Sequence, residues 1–197
     1  MPEAMGRRAP LYAALVHYPV LNRKGEVIAS AVTNLDLHDM ARTARTYGLS
    51  ACYVVTPLKD QQALSERLAD HWRQGIGKEL HPDRAEALMR LRIVASIEAA
   101  EDDIQREQGA RPVVWATTAK SAPGALAHEE ARRRLFESDA PFLVLFGTGW
   151  GFAPLVSDRA DAFLEPIHGV DGYNHLSVRC AAAILLDRLH YARQCPL

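Results

Sequence analysis

The sequence predicts an α/β domain built on a mostly parallel sheet with helices on both faces. Three observations lead there. Short apolar runs alternate with longer amphipathic stretches along the chain, which is the pattern of successive βα units. The runs are nearly continuous in apolarity, as strands covered on both faces must be. Several amphipathic stretches stop at a glycine, the residue that closes a helix through a left-handed turn.

The strand candidates are Leu11 to His17, Ala51 to Thr56, Arg92 to Ser96, Pro112 to Ala116, Pro141 to Phe146 and Ala162 to Leu164. The first helix, Leu37 to Tyr47, carries Leu37, Met40, Ala41 and Ala44 at the i, i+3, i+4, i+7 spacing of a buried stripe. Thr33, Asn34 or Asp36 can cap it, and Gly48 closes it. Gln61 to Gln74 ends at Gly75, and Ala99 to Gln108 ends at Gly109. Leu80 to Leu91, with Pro82 and several charges, reads as a surface excursion. Glu129 to Glu137 is the next helix; its arginines 132 to 134 point in different directions and read as a solvated face. The last helix, Leu176 to about Arg193, contains Ala181-Ala182-Ala183-Ile184-Leu185-Leu186, apolar on nearly every side. Such a helix needs cover on more than one side, from the core or from a second subunit.

With no repeat or long linker, the 197 residues are expected to form a single domain spanning 1–197. A composition of 48% hydrophobic and 24% charged residues excludes a disordered chain. The net charge of −1 excludes a globally basic nucleic-acid coat but permits a local basic face. Positive charge comes from 19 arginines and four lysines; arginine offers a bidentate fork for phosphate, although a GC-rich genome gives the same skew. Three scattered cysteines suggest neither a disulfide framework nor a zinc cluster. No run approaches the roughly 20 apolar residues of a membrane span, and no apolar stretch follows the two early arginines. The expectation is a cytoplasmic protein without a membrane partner.

Three segments carry candidate chemistry. In Phe142-Leu-Val-Leu-Phe146-Gly147-Thr148-Gly149-Trp150-Gly151, a buried strand runs into glycines at alternate positions, where bare Cα atoms let a ligand lie against main-chain groups. Ligands of open α/β sheets bind at such carboxyl ends, although a tight turn alone can also account for the glycines. There is no Gly-Lys-Ser/Thr for a triphosphate. The spacing and late position also fit a dinucleotide fingerprint poorly, which leaves a nucleotide-dependent oxidoreductase as a distant third reading. The second segment is the polar loop His168-Gly-Val-Asp171-Gly-Tyr173-Asn174-His175-Leu176-Ser177-Val178-Arg179 before the last helix. Asn174, His175 or Ser177 can cap that helix, but capping explains only one of them. His168 and His175 lack a third ligand at metal-site spacing, so no metal is expected. The third segment is Thr33 to Gly48, where Arg42 falls between stripe positions.

Together and in this order, the three segments resemble the SPOUT superfamily of S-adenosylmethionine-dependent RNA methyltransferases, the α/β-knot enzymes. Asp36-Leu-His-Asp-Met-Ala-Arg42-Thr43-Ala44 before Gly48 resembles the superfamily's first motif, in the form used by its ribose-methylating branch. Phe146-Gly147-Thr148-Gly149-Trp150-Gly151 is similar to the second. His175-Leu176-Ser177-Val178-Arg179-Cys180-Ala181-Ala182-Ala183-Ile184 is similar to the third and is the most specific match. The chain departs from the pattern with Asp36 in place of Asn, Ser177 in place of Asn and Arg179 in place of Ser. It also lacks the acidic residue often found in the second motif. The pattern Gly-Thr-Gly-Trp-Gly with Tyr-Asn-His-Leu-Ser-Val-Arg is closest to a bacterial subgroup without an assigned substrate.

The resemblance implies a C-terminal trefoil knot, which the usual rules of chain topology would not suggest. It also implies a homodimer through the C-terminal helix and S-adenosylmethionine as cofactor. Phe146, Gly147, Thr148, Gly149, Gly151, Ile167, Asn174, Leu176 and Ser177 would hold the cofactor. Arg42, Asp36, His175 and Arg179 would serve catalysis: Arg42 by binding phosphate and favouring a 2′-alkoxide, and Asp36, Asp171 or His175 as base for a ring nitrogen. Tyr173 and Trp150 could stack on a base. The partner would be RNA, either tRNA or rRNA, methylated on ribose 2′-O or a base nitrogen. The departures motivate a second expectation, a catalytically inactive S-adenosylmethionine-binding or RNA-binding protein of the same fold.

Overall fold

The computed structural model describes residues 8–74 and 76–190. The chain runs β1 (Leu11–Val16), β2 (Val20–Leu21), β3 (Val27–Ile28), α1 (Asn34–Thr46), β4 (Ala51–Val55), α2 (Lys59–Arg73), α3 (Ile76–Leu80), α4 (Pro82–Leu88), β5 (Leu91–Val94), α5 (Ile97–Gln108), β6 (Val113–Ala116), α6 (His128–Glu137), β7 (Phe142–Gly147), α7 (Pro154–Arg159), β8 (Ala162–Phe163) and α8 (Val178–His190).

Six strands pair side by side in the order β5-β4-β1-β7-β6-β8, and every pairing is parallel. These are the six predicted strands. β1 and β7 occupy the centre, with Leu11 opposite Phe142 and Val16 opposite Gly147. Side chains of a strand alternate between faces, so β1 feeds two apolar layers. Leu11, Ala13 and Leu15 join residues of α1, α2, α4, α6 and α8 on one side. Tyr12, Ala14 and Val16 join α5 and α7 on the other. Cover on both faces is why the strands read as unbroken apolar runs.

α1 starts where its capping residues allow. The Thr33 hydroxyl accepts from the Asp36 amide, and the Asp36 carboxylate accepts in return from the Thr33 amide, closing a capping box. Leu37, Met40, Ala41 and Ala44 are buried, as their spacing predicts. Gly48 and Gly109 follow α1 and α5 with φ of 64° and 74°, the left-handed closure expected of them. The Gly75 closure, Cys195 and the expected extension of the last helix toward Arg193 lie outside the described residues.

Two sequence expectations need correction. Residues 80 to 91 are not a surface loop: α3 and α4 pack there, and Ala85, Ala87 and Leu88 are buried in the core. Pro82 does not break structure but opens α4 at a position where its missing N–H costs nothing. The last helix begins at Val178, so Leu176 and Ser177 lie before it. Ser177 is the residue that caps it, accepting from the Cys180 amide at 3.3 Å.

α8 lies against α6, α1 and β7. Ala182, Leu185, Leu186 and Leu189 are buried, whereas Ala181, Ala183 and Ile184 stay half-buried and Cys180 is exposed. The core covers one side of this apolar helix and leaves the other side partly open. The segment that leads to it runs beside the loop after β6: the Glu165 amide donates to the Leu126 carbonyl at 2.9 Å, and the Asn174 amide group donates to the Ala119 carbonyl at 2.9 Å.

Candidate active site

The three chemistry-bearing segments converge at the carboxyl edge of the sheet. β1 and β7 are neighbours, so the chain leaving each one is held beside the other. After β7, the Thr148 amide and hydroxyl both donate to the Val16 carbonyl, at 3.3 Å and 3.0 Å. The β2–β3 hairpin then clamps the glycine loop. The Trp150 amide donates to the Leu21 carbonyl at 3.0 Å, and the Leu21 amide donates to the Gly151 carbonyl at 2.9 Å.

This clamp explains two of the glycines. Gly149 has φ of +65°, and a Cβ there would stand 2.9 Å from the Leu21 carbonyl oxygen. A Cβ on Gly147 would press on the Phe152 ring at 3.0 Å. Gly151 differs: at φ of +105° its bare Cα faces space in which no protein atom comes within 4 Å of a Cβ position. That open side, flanked by the exposed Trp150, is where a ligand can lie against the main chain. The Phe146 side chain is buried in the core, so only its main chain is available at the strand end.

The loop before α8 forms a second rim. The Tyr173 amide donates to the Val170 carbonyl at 3.1 Å, and a Cβ on Gly169 would overlap the Tyr173 carbonyl oxygen, so this turn closes only with glycine there. Asp171 adopts φ of 55°, a conformation that short polar side chains tolerate. Val170 and Tyr173 are 81% and 70% exposed, apolar surface that the described residues leave uncovered. Tyr173 and His175 meet edge to face with centroids 5.3 Å apart. Ile167, half-buried, packs against the core.

An ion pair joins the second and third segments. Arg179, in the first turn of α8, places Nε 3.3 Å from the Asp36 carboxylate and Nη1 2.9 Å from that of Asp39. The predicted residues Asp36 and Arg179 are therefore brought together, 143 positions apart in the chain. Arg42 is not part of this junction. It is exposed on another side of α1, where it lines a groove with Leu80, His81, Pro82, Asp83 and Arg84. Asn174 is engaged with Ala119, and His175 is exposed at the rim. On α6, Arg133 and Arg134 are exposed and paired with Glu130, as a solvated face would be.

A buried polar chain lies behind the glycine loop. Thr148 Oγ1 sits 2.6 Å from Ser30 Oγ, which sits 3.0 Å from Nδ1 of His17. His17 is only 1% exposed, and its Nε2 has no partner within the described residues. Burial pushes the His17 pKa down, opposed by the nearby Asp36 charge. His17 and Ser30 carry no motif, but His17 is the first polar residue after a fully apolar strand, the position where carboxyl-edge sites begin.

His128, buried against Glu165, is likewise held below its ordinary pKa by burial. A histidine with a lower pKa in the folded state binds fewer protons when folded than when unfolded, so acid favours unfolding. Stability is expected to be complete above about pH 6.5 and to decline below it, with a slope approaching about 1.4 kcal/mol per pH unit for each such histidine. Urea unfolding between pH 5 and 7.5 measures this, and His17→Asn should flatten the slope. An unchanged slope would remove His17 from the account.

With this geometry established, comparison with known proteins decides the family. A family model described as SAM-dependent RNA methyltransferase matches residues 10–191. The chain belongs to that family. The description of that family names a cofactor, S-adenosylmethionine, and a substrate class, RNA. Among relatives, the chain is 49% identical over 187 residues to a tRNA (guanine-N(1)-)-methyltransferase of Oleidesulfovibrio alaskensis, covering 95% of this chain and 43% of that protein. A protein of the same name from Nitratidesulfovibrio vulgaris is 49% identical over 179 residues, covering 91% of this chain and 41% of the relative. The chain thus spans less than half the length of these two relatives. An uncharacterized protein of Aquifex aeolicus is 36% identical, covering 94% of this chain and 90% of its own length.

Solved structures share the fold at low identity. A probable methyltransferase of Bordetella pertussis superposes with a TM-score of 0.61 at 16% identity, covering 93% of this chain and 95% of that one. A SpoU methyltransferase of Streptomyces viridochromogenes, in complex with the cofactor AdoMet, superposes with a TM-score of 0.58 at 15% identity, covering 93% of this chain and 57% of that one. The α/β fold with a mostly parallel sheet, expected from the sequence, is that of these methyltransferases. No helix among the described residues is long and apolar enough to cross a membrane.

Proposed function

We propose that this protein methylates a nucleotide of tRNA at the junction of the glycine loop, the loop before α8 and the N-terminal turn of α1. The Arg179–Asp36 ion pair is the observation that carries this reading, because it brings the first and third motifs to one point at the carboxyl edge. Bound S-adenosylmethionine supplies an electrophilic methyl on a sulfonium. Main-chain groups of Phe146, Gly147, Thr148, Gly149 and Gly151 on one side, and of Ile167, Asn174, Leu176 and Ser177 on the other, would hold the donor, and methyl transfer requires donor and acceptor to be aligned. The Thr148 hydroxyl and amide both face inward and steady the loop, so Thr148 offers its main-chain carbonyl to the ligand.

The acceptor must lose a proton as it takes the methyl. Asp36, Asp171 and His175 are the proposed bases for a ring nitrogen, and Arg179 is the cation placed to stabilise an acceptor anion. Arg42 is retained as a phosphate-binding residue, since a guanidinium does not serve as a base at neutral pH. The names of the two 49%-identical relatives support tRNA over rRNA. The half-open face of α8 at Ala181, Ala183 and Ile184, with the exposed Leu176, Val170 and Tyr173, supports a homodimer that completes the site. The path of residues 164 to 174 beside the loop after β6 supports a knotted C-terminal segment, and action in the cytoplasm is part of this proposal.

Two measurements test this. Calorimetry should show heat for S-adenosylmethionine and for its demethylated product. Labelled methyl should enter tRNA from a strain deleted for the gene, and nucleoside mass spectrometry then identifies the acceptor atom. Donor binding without transfer to tRNA or rRNA would establish the non-catalytic alternative, and no heat with the donor would end both readings.

A further inference from the structure

Outside the glycine loop, the uncompensated positive charge beside α1 gathers at one place. Arg45 is neutralised by Glu86 at 2.6 Å, Arg73 by Glu66 at 3.3 Å, and Arg179 by Asp36 and Asp39. Arg42 and Arg84 have no carboxylate partner among the described residues, and both line the same groove of about 290 Å³ between α1 and the α3–α4 segment. Asp83 also lines the groove, so two guanidiniums and one carboxylate leave a net single positive charge there.

Arg84 is held ready for a ligand. Its guanidinium carbon lies 4.5 Å from the centroid of the Trp72 ring, a cation–π contact that leaves the N–H groups able to donate to a ligand. Trp72 is itself braced by His38 and His81, with centroids at 5.4 Å and 5.9 Å. His38 Nδ1 is buried without a hydrogen-bond partner within the described residues. Its pKa is pushed down by burial and by Arg84, and then by Arg42, against the opposing charge of Asp39. A guanidinium stacked on Trp72, without a carboxylate partner among the described residues and lining one groove with a second such guanidinium, matches an oxyanion with several acceptor atoms.

We propose that the Arg84–Arg42 groove is a docking site for a backbone phosphate of the RNA, separate from the S-adenosylmethionine site. It rests on the reading of the chain as an RNA-methylating enzyme and assigns a role to the α3–α4 segment and to Trp72. Arg42 lies six residues beyond Asp36 on α1, about 9 Å along the axis. A phosphate held in the groove therefore belongs to a nucleotide near the acceptor, and Arg84 acts as a positioning residue that sets where on the RNA the acceptor falls.

The test is filter binding of bulk tRNA and of ribosomal RNA to the whole protein, saturated with S-adenosylhomocysteine, over a range of potassium chloride. Arg84→Gln should weaken binding and reduce the slope of log K against log salt by about 0.7 to 0.9, the value for one lost phosphate contact. Trp72→Leu, which frees Arg84 from its stack, should weaken binding without removing the charge. Arg67→Gln, at an exposed position outside the groove, serves as the comparison. If Arg84→Gln keeps the wild-type slope, or Arg67→Gln lowers it equally, the groove is not a phosphate site while the RNA reading stands. If the unaltered protein shows no salt-dependent binding to either RNA, the RNA reading itself fails and the groove falls with it. Calorimetry with S-adenosylmethionine should give the same affinity for Arg84→Gln as for the unaltered protein.

Discussion

Gly149→Ala is expected to abolish measurable S-adenosylmethionine binding while leaving the protein folded. Two costs add at this position. The φ of +65° costs an L-residue about 1 kcal/mol. The new methyl also stands 2.9 Å from the Leu21 carbonyl oxygen, a main-chain atom that cannot turn aside. Relief requires the β2–β3 hairpin to lift from the glycine loop, breaking the Trp150-to-Leu21 and Leu21-to-Gly151 hydrogen bonds that shape the rim. Gly109→Ala supplies the comparison, since Gly109 shares a left-handed φ of +74° but has nothing within 4 Å of a Cβ. It should cost about 1 kcal/mol in urea unfolding and leave donor affinity unchanged. Gly149→Ala should cost about 2 to 3 kcal/mol and weaken the donor by at least about a hundredfold, the equivalent of about 2.8 kcal/mol. Equal donor affinity in the two variants would show that the clamped loop does not bind the cofactor.

The sheet was legible because its central strands are buried on both faces, which leaves one continuous apolar run per strand and little for tertiary contacts to overrule. α1 was legible for a related reason: its stripe and its capping box point to the same boundaries. What escaped is short or mixed. The β2–β3 hairpin has two residues per strand, too few for an alternation to show, yet it shapes the glycine loop. α4 has seven residues and opens on Pro82, and the charges around its Ala85, Ala87 and Leu88 hide its buried face. Within the candidate site, the motifs located the glycine loop and the loop before α8. They did not show that Asp36 and Arg179 pair, because departures from a motif at two distant positions look independent until the fold brings them together. His17 and Ser30 were silent for a different reason: a single buried histidine has no spacing to recognise.

The Arg179–Asp36 pair leads to the second large effect. Arg179 bridges two carboxylates one turn apart on the same face of α1, and its side chain is 27% exposed against 11% for Asp36. Removing it does not strand Asp36 completely, because the Thr33 amide and hydroxyl still donate to that carboxylate. Arg179→Gln is therefore expected to cost about 1 to 2 kcal/mol of stability, between the values for an exposed pair and a buried one. Its effect on turnover should be far larger. The pair fixes the entry of α8, and with it Leu176 and Ser177, relative to α1, and a donor displaced by about 1 Å can lose about a hundredfold in rate. Arg179→Lys retains the charge but not the fork, so it can satisfy one carboxylate at a time and should recover only part of the rate. The combination of Arg179→Gln with Asp36→Asn separates two roles. If the pair acts chiefly by orienting α8, the double variant should turn over no more slowly than Arg179→Gln alone, because the unpaired charge has been removed. If Asp36 also takes the acceptor proton, the double variant should be slower still, and the acid limb of the pH–rate profile should vanish with Asp36→Asn. Single-turnover transfer to tRNA at saturating donor, across pH, distinguishes these outcomes. A wild-type rate in Arg179→Gln would place the chemistry elsewhere than this junction.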